Sequence, residues 1–398
     1  MNPMSPLVKR TAPPPVMEAR RWLAGLDFPA ERPLINLSQA APIEPPPEAM
    51  REAMAEMVRA EADSHVYGPV LGNLALRSEI AWRWSALYGG EIEPDEVAIT
   101  AGCNQAFCTA IMTIAQPGDA VMLPVPWYFN HKMWLDMAGL ETIPLPCGEG
   151  MLPDLAAARA RITARTRAIV LVTPNNPTGA EYPPALIAEF AALAREHGAM
   201  LVLDETYRDF LSGEGRPHGL LADPGWRDWL VHLYSFSKAF RMTGHRTGAM
   251  VASRERLAEA EKVLDTVTIC APQLGQKAAL WGLRNLGDWL AGERAEILRR
   301  RAAALSALSA LPGWRLLGCG AYFAYVEHPH PLPSSALAPL LVRERSLLLL
   351  PGTMFAPAAA DGGDGRAERQ LRMAFANVSV EGLRAVGERL ATLAPVAA

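Results

Sequence analysis

From Val97 onward the hydrophobic positions fall into short, unbroken apolar runs separated by longer amphipathic stretches. The runs Val97–Thr100, Ala120–Pro124, Ala168–Thr173, Met200–Asp204, Val231–Ser235 and Gly248–Ala252 have strand length and little polar alternation. Between several of them, Cys103–Ala115, Leu155–Ile162 and Pro184–His197 show helical spacing. Strands that are apolar on both faces and separated by helices predict an α/β fold with a mostly parallel sheet covered on both sides.

The flanks read differently. Residues 1–47 are rich in proline and end in Pro45-Pro46-Pro47, which predicts an irregular segment draped over a domain. Helices are expected over Glu48–Ala62, with Met50, Met54, Met57 and Val58 at helical spacing, and over Leu74–Tyr88, with a loop from Asp63 to Gly72. A long helical stretch from Leu274 to Ser309, with candidate breaks at Gly282, Gly287 and Gly292, is placed to bridge two domains. The tail reads as α+β, with strands at Tyr322–Glu327, Ser346–Leu350 and Gln370–Phe375 and helices at Ser335–Glu344 and Val380–Thr392. Ala356–Arg366 (APAAADGGDGR) is expected to be a mobile loop.

The length of 398 residues fits two domains better than one. A formal net charge of −4 weighs against nucleic-acid binding, which calls for a basic surplus. The five cysteines form no C-x-x-C pair, so reduced, buried thiols are expected rather than a disulfide scaffold. The longest charge-free run, Val97 to Gly118, divides into a strand-like and a helix-like half, and it contains Gly102, Asn104, Gln105 and Gln116. It predicts a soluble strand–turn–helix rather than a membrane span. No secretory h-region is visible in the first 34 residues, so the expected location is the cytoplasm. Only five residues are lysines (Lys9, Lys132, Lys238, Lys262 and Lys277), which shortens any search for a catalytic lysine.

In open α/β sheets ligands bind where strands end. After Val97–Thr100 comes Gly102-Cys103-Asn104, opening a helix whose free N–H groups suit a phosphate, although many such helices bind nothing. After Ala120–Pro124 comes Pro126-Trp127-Tyr128-Phe129-Asn130-His131, where an aromatic could stack on a flat ring. Core or interface packing explains that stretch equally well when it is read alone. After Ala168–Thr173, Pro174-Asn175-Asn176-Pro177-Thr178-Gly179 makes a rigid turn that could fix an amide. After the next strand, Asp204 is an acid ending an apolar run; a buried carboxylate needs a partner, and a protonated ring nitrogen is one. Then come Ser235-Phe236-Ser237-Lys238 and Arg246. A desolvated lysine beside arginines has a lowered pKa and makes a capable imine-forming nucleophile and proton shuttle.

Together these strand ends describe a site for pyridoxal 5'-phosphate. Their combination and order resemble the class I/II aminotransferases of the fold type I pyridoxal-phosphate superfamily, from about Ile35 to the C-terminus. The strongest pieces are PNNPTG (174–179), DETY (204–207) and SFSKAFRMTGHRTG (235–248). The resemblance implies a large domain (48–275) with a seven-stranded-type sheet between helices. It also implies a smaller α+β domain formed by the two chain ends (1–47 and 276–398). It gives Lys238 the Schiff base, Asp204 the pyridinium proton, and Tyr207 and Asn176 the phenolic oxygen. Tyr128 takes the stacking position, with Trp127 as rival. Gly102, Cys103, Asn104, Ser235, Ser237 and Arg246 would meet the phosphate. Tyr67 would reach the phosphate of a neighbouring subunit in a homodimer. Arg372 would grip the substrate α-carboxylate, and Ala40 would lie in the loop that closes over the substrate. Two positions depart from the family: alanine replaces the common glycine in Ser38-Gln39-Ala40-Ala41-Pro42, and Gly320-Ala321 replaces a common Gly-Gly.

The implied reaction is ping-pong transamination between an amino acid and a 2-oxo acid. Val263 to Gln276 has no Lys or Arg, and Asn104 stands where some dicarboxylate-specific relatives have lysine, so a neutral apolar or aromatic donor is expected. The alternative is a carbon–sulfur β-lyase of the same fold. No nucleic-acid or membrane partner is expected, and no metal.

Overall fold

A computed structural model describes residues 4–393. Its centre is a seven-stranded sheet in the order Val97–Thr100, Gly248–Val251, Leu230–Ser235, Met200–Asp204, Thr166–Val172, Ala120–Val125, Glu141–Pro146. Gly248–Val251 pairs antiparallel with both its neighbours, and every other pairing between adjacent strands is parallel. The central strands are mostly apolar because both faces are covered, although Leu230–Ser235 carries the buried His232. Ile169, Leu171, Leu201 and Leu203 face one core with Trp84 and Tyr88, whereas Ala168, Val170, Val202 and Leu233 face another with Phe107 and Leu135.

Glu141–Pro146, absent from the sequence expectation, is an edge strand, where Pro144 and Pro146 are tolerated. Two helices, Phe129–Met137 and Arg254–Thr268, were not anticipated either.

A second, four-stranded sheet is built from Arg315–Gly320, Phe323–Glu327, Gln370–Ala374 and Leu350–Pro351. Of these, Arg315–Gly320 has no counterpart in the sequence reading. The expected strand Ser346–Leu350 splits, because Leu347–Leu348 instead pairs in parallel with Ile35–Asn36. The N-terminal segment is thereby tied to the C-terminal third. It is less irregular than its prolines suggest, since Pro6–Arg10 and Pro15–Arg21 are short helices that begin on proline. The long helical stretch breaks once, at Leu286, into Gln273–Asn285 and Gly287–Ser309; Gly282 and Gly292 lie inside those helices. Gly282 packs under Phe240, where a side chain would clash with the ring. Among the described residues no helix is long and apolar enough to cross a membrane.

Candidate active site

The loops leaving the parallel strands converge on a cavity of about 150 Å³. Lys238 reaches it from a four-residue helix, Phe236–Ala239, which begins directly at the end of Leu230–Ser235. The Ser235 hydroxyl caps that helix by accepting from the Ser237 N–H at 3.3 Å. Burial, and then the charge of Arg246, bring the Lys238 ammonium down from 10.5 to about 8. A substantial neutral fraction therefore exists near physiological pH.

Arg246 holds a left-handed φ of +49° and donates to the Thr243 carbonyl at 3.0 Å. Its guanidinium lies against Gly102, itself at φ +89°, and a Cβ there would collide with it. Gly102 is thus required twice, by its backbone and by the space it leaves. It opens the helix Cys103–Met112, so free N–H groups and a cation share one corner of the cavity. Asn104, Ser235 and Ser237 line the same cavity.

Asp204 ends its strand 3% exposed. Burial alone would raise its carboxyl. The His131 imidazole, 3.4 Å from Oδ2, and the Thr206 N–H, donating to Oδ1 at 2.9 Å, outweigh burial and hold it below the usual range. Cys103 sits beside it, and burial with the Asp204 charge pushes its thiol well up, so it stays protonated. Tyr128 lines the cavity and donates to Asn104 Oδ1 at 3.3 Å. Its rival Trp127 turns away, with Lys132 Nζ 5.6 Å from its ring centroid.

Tyr207 lines the cavity and donates to the Ala40 carbonyl at 3.4 Å, bringing in the N-terminal loop. Arg372 is 1% exposed, between the rings of Phe323 and Phe355. It donates to Asn176 Oδ1 at 3.3 Å and to the Ser38 carbonyl. Its Nε has no partner, and burial lowers its pKa to about 10. Among the described residues no acidic side chain pairs with it.

Thus Lys238, Asp204, Tyr207, Asn176, Tyr128, Cys103, Asn104, Ser235, Ser237 and Arg246 share one cavity, with Gly102 beside Arg246 and Arg372 joined through Asn176. Tyr67 lies outside it and is 76% exposed. Three contributors had no role in the sequence reading: His131, Thr206 and the Ser38 carbonyl. His131 lies in the quoted aromatic motif, and the need of Asp204 for a partner was the signal for it. The site suits pyridoxal phosphate on its own chemistry, with a neutral-capable amine, an ionised buried acid and a cation-backed helix N-terminus in one cavity.

Comparison with known proteins agrees. The sequence pattern of the family "Aminotransferase class I and II" matches residues 32–390. The chain is 31% identical over 367 residues to the aspartate/prephenate aminotransferase of Thermus thermophilus, covering 90% of each. It is 27% identical over 387 residues to an aromatic aminotransferase of Arabidopsis thaliana, covering 94% of this chain and 92% of that one. Among solved structures, a single mutant of the Thermus thermophilus aspartate aminotransferase superposes with a TM-score of 0.87 at 27% identity, over 98% of this chain and 99% of that chain. A methionine aminotransferase from Escherichia coli superposes with a TM-score of 0.85 at 25% identity, over 99% of this chain and 100% of that one. These relatives leave the carbon–sulfur lyase alternative without support. The chain belongs to the class I and II aminotransferases, a family of pyridoxal-phosphate-dependent transferases.

Proposed function

We propose that this aminotransferase takes a neutral amino acid, apolar or aromatic, as donor and passes its amino group to a 2-oxo acid. The observation that carries the substrate side is Arg372: a buried guanidinium with an unpartnered Nε and no acidic partner among the described residues. A bidentate α-carboxylate answers both deficits. The neutral preference rests on Asn104 and on the stretch Val263–Gln276, which carries no cation. The expected result of a donor screen is higher kcat/KM for neutral amino acids. Aspartate preferred over all of them would overturn the reading.

Pyridoxal phosphate, when bound, supplies an aldehyde for the substrate amine and a ring that takes up electrons from Cα. Lys238 would anchor the cofactor, and its amine would carry the proton away from Cα; its lowered pKa suits that shuttle. Asp204, ionised, keeps a proton on the ring nitrogen. Because Arg372 donates to the Asn176 oxygen, the Asn176 NH₂ is free to donate, and with Tyr207 it would hold the cofactor's phenolic oxygen. Gly102, Cys103, Asn104, Ser235, Ser237 and Arg246 would hold the phosphate, and Ala40 would lie against the substrate.

The chain is read as a homodimer in which Tyr67 reaches the neighbouring phosphate. Exposed Val66, Tyr67, Val267 and Ile269 support this, since the Gly68 N–H bonded to Cys270 Sγ draws their segments together. Full activity in a stable monomer would contradict it. Within each subunit, residues 48–275 form the cofactor domain, and 1–47 with 276–398 the smaller one. The proposed location is the cytoplasm.

A further inference from the structure

Directly behind the cavity lies a buried polar cluster that the mechanism does not use. Glu205, 1% exposed, accepts from His232 Nε2 at 2.8 Å and from the Tyr88 hydroxyl, and His218 Nε2 lies 3.5 Å from its other oxygen. The Tyr88 hydroxyl in turn accepts from Arg208 Nη1 at 2.9 Å. The Arg208 guanidinium is clamped between Trp84 and Tyr234, 3.7 Å and 4.2 Å from their ring centroids. Glu205 with two imidazoles invites a metal reading, but the backbone argues otherwise. The Leu220 N–H donates to His218 Nδ1 at 3.2 Å, so Nδ1 is the acceptor and Nε2 carries the proton. A metal at Nε2 would require the opposite tautomer.

The cluster is instead a closed brace. Glu205 and Arg208 flank Thr206 and Tyr207, and the Arg208 N–H also bonds the Glu205 carbonyl at 3.1 Å. Side chains close the same loop a second time, through Tyr88. The Glu205 N–H bonds the Leu233 carbonyl at 3.0 Å, which ties the turn to the strand leading to Lys238.

We propose that Glu205 is a positioning residue for transamination: through Tyr88 and Arg208 it fixes the turn that aims Asp204 and Tyr207 at the cofactor. This rests on the reading that those two residues face the ring, so the test separates the two claims. In the holoenzyme, Glu205→Gln keeps the shape of the side chain but removes its charge. Displacing reacting groups costs rate rather than ground-state binding, so kcat is expected to fall about 10- to 100-fold with KM little changed. The visible absorption band of the bound cofactor should shift or weaken alongside. A wild-type kcat and band in this variant overturn the proposal. If Glu205→Gln does not fold, Tyr88→Phe carries the same test: kcat should fall several-fold at unchanged KM, and a wild-type kcat overturns it. Asp204→Ala and Tyr207→Phe are measured in parallel. If both keep wild-type turnover, the reading of the site fails; if both lose it while Glu205→Gln does not, the positioning proposal alone fails.

Discussion

Asp204 and Glu205 are consecutive carboxylates with nearly equal burial, 3% and 1% exposed, yet they meet opposite surroundings. Alternation along the strand sends Asp204 to the face of Phe107 and His131 and Glu205 to the face of Trp84 and Tyr88. Asp204 has one imidazole and one N–H and borders an open cavity. Glu205 has two imidazoles, a phenol and a nearby guanidinium, and it does not line that cavity. Burial alone therefore does not distinguish a reacting carboxylate from a bracing one; the number of its donors and the open space in front of it do.

The largest effect should come from the open side. Asp204→Ala is expected to lower turnover about 10³-fold, because without the carboxylate the ring nitrogen would lose the proton that lets the ring take up electrons from Cα. Steady-state kinetics with a fully loaded enzyme check this, and a loss comparable to that of Glu205→Gln would erase the contrast. Next in size is Arg372→Lys. An ammonium cannot bind a carboxylate bidentately, so kcat/KM should fall about 10²-fold while the absorption band of the bound cofactor stays in place.

Stability should rank the pair the other way. Glu205→Ala leaves the buried Tyr88 hydroxyl and His232 Nε2 without their acceptor, a change expected to cost about 3 kcal/mol or more. Asp204→Asn, beside a cavity, should stay within about 1 kcal/mol of wild type. Denaturant midpoints on both variants decide this, and equal losses would show that both carboxylates are bracing.

The same contrast explains what could be read from the sequence. The central strands were legible because burial on both faces makes them unbroken apolar runs. Glu141–Pro146 and Arg315–Gly320 were not, because edge positions relax that demand and leave mixed polarity. The cavity residues were legible because they follow strand ends in compact motifs. His131 and the partners of Glu205 were not. They belong to the helix Phe129–Met137, the helix Leu74–Tyr88, the segment before Leu220 and the strand Leu230–Ser235, and only the packing of those elements brings them to residues 204 and 205. The choice between Tyr128 and Trp127 was likewise a matter of which side chain the chain turns inward.

The smallest expected effect is in acid. Burial would raise both carboxyls, but their partners hold Asp204 below its ordinary 3.8 and Glu205 well below its ordinary 4.5. A carboxyl held low in the folded state contributes stability that is complete above its unfolded value. That contribution is lost as pH falls through the folded value. The wild-type protein should therefore lose stability steadily once pH drops below 4.5, with Glu205 supplying more of the slope than Asp204. Glu205→Gln has no proton to take up there, so its stability should fall less steeply with pH over that range. Asp204→Asn should track the wild type more closely, since its carboxyl is held less far down. Denaturant midpoints measured from about pH 6 to pH 3 give both slopes. A steeper acid loss removed by Asp204→Asn than by Glu205→Gln would place the stronger hydrogen-bonding brace on the cavity side and reverse the assignment of the two carboxylates.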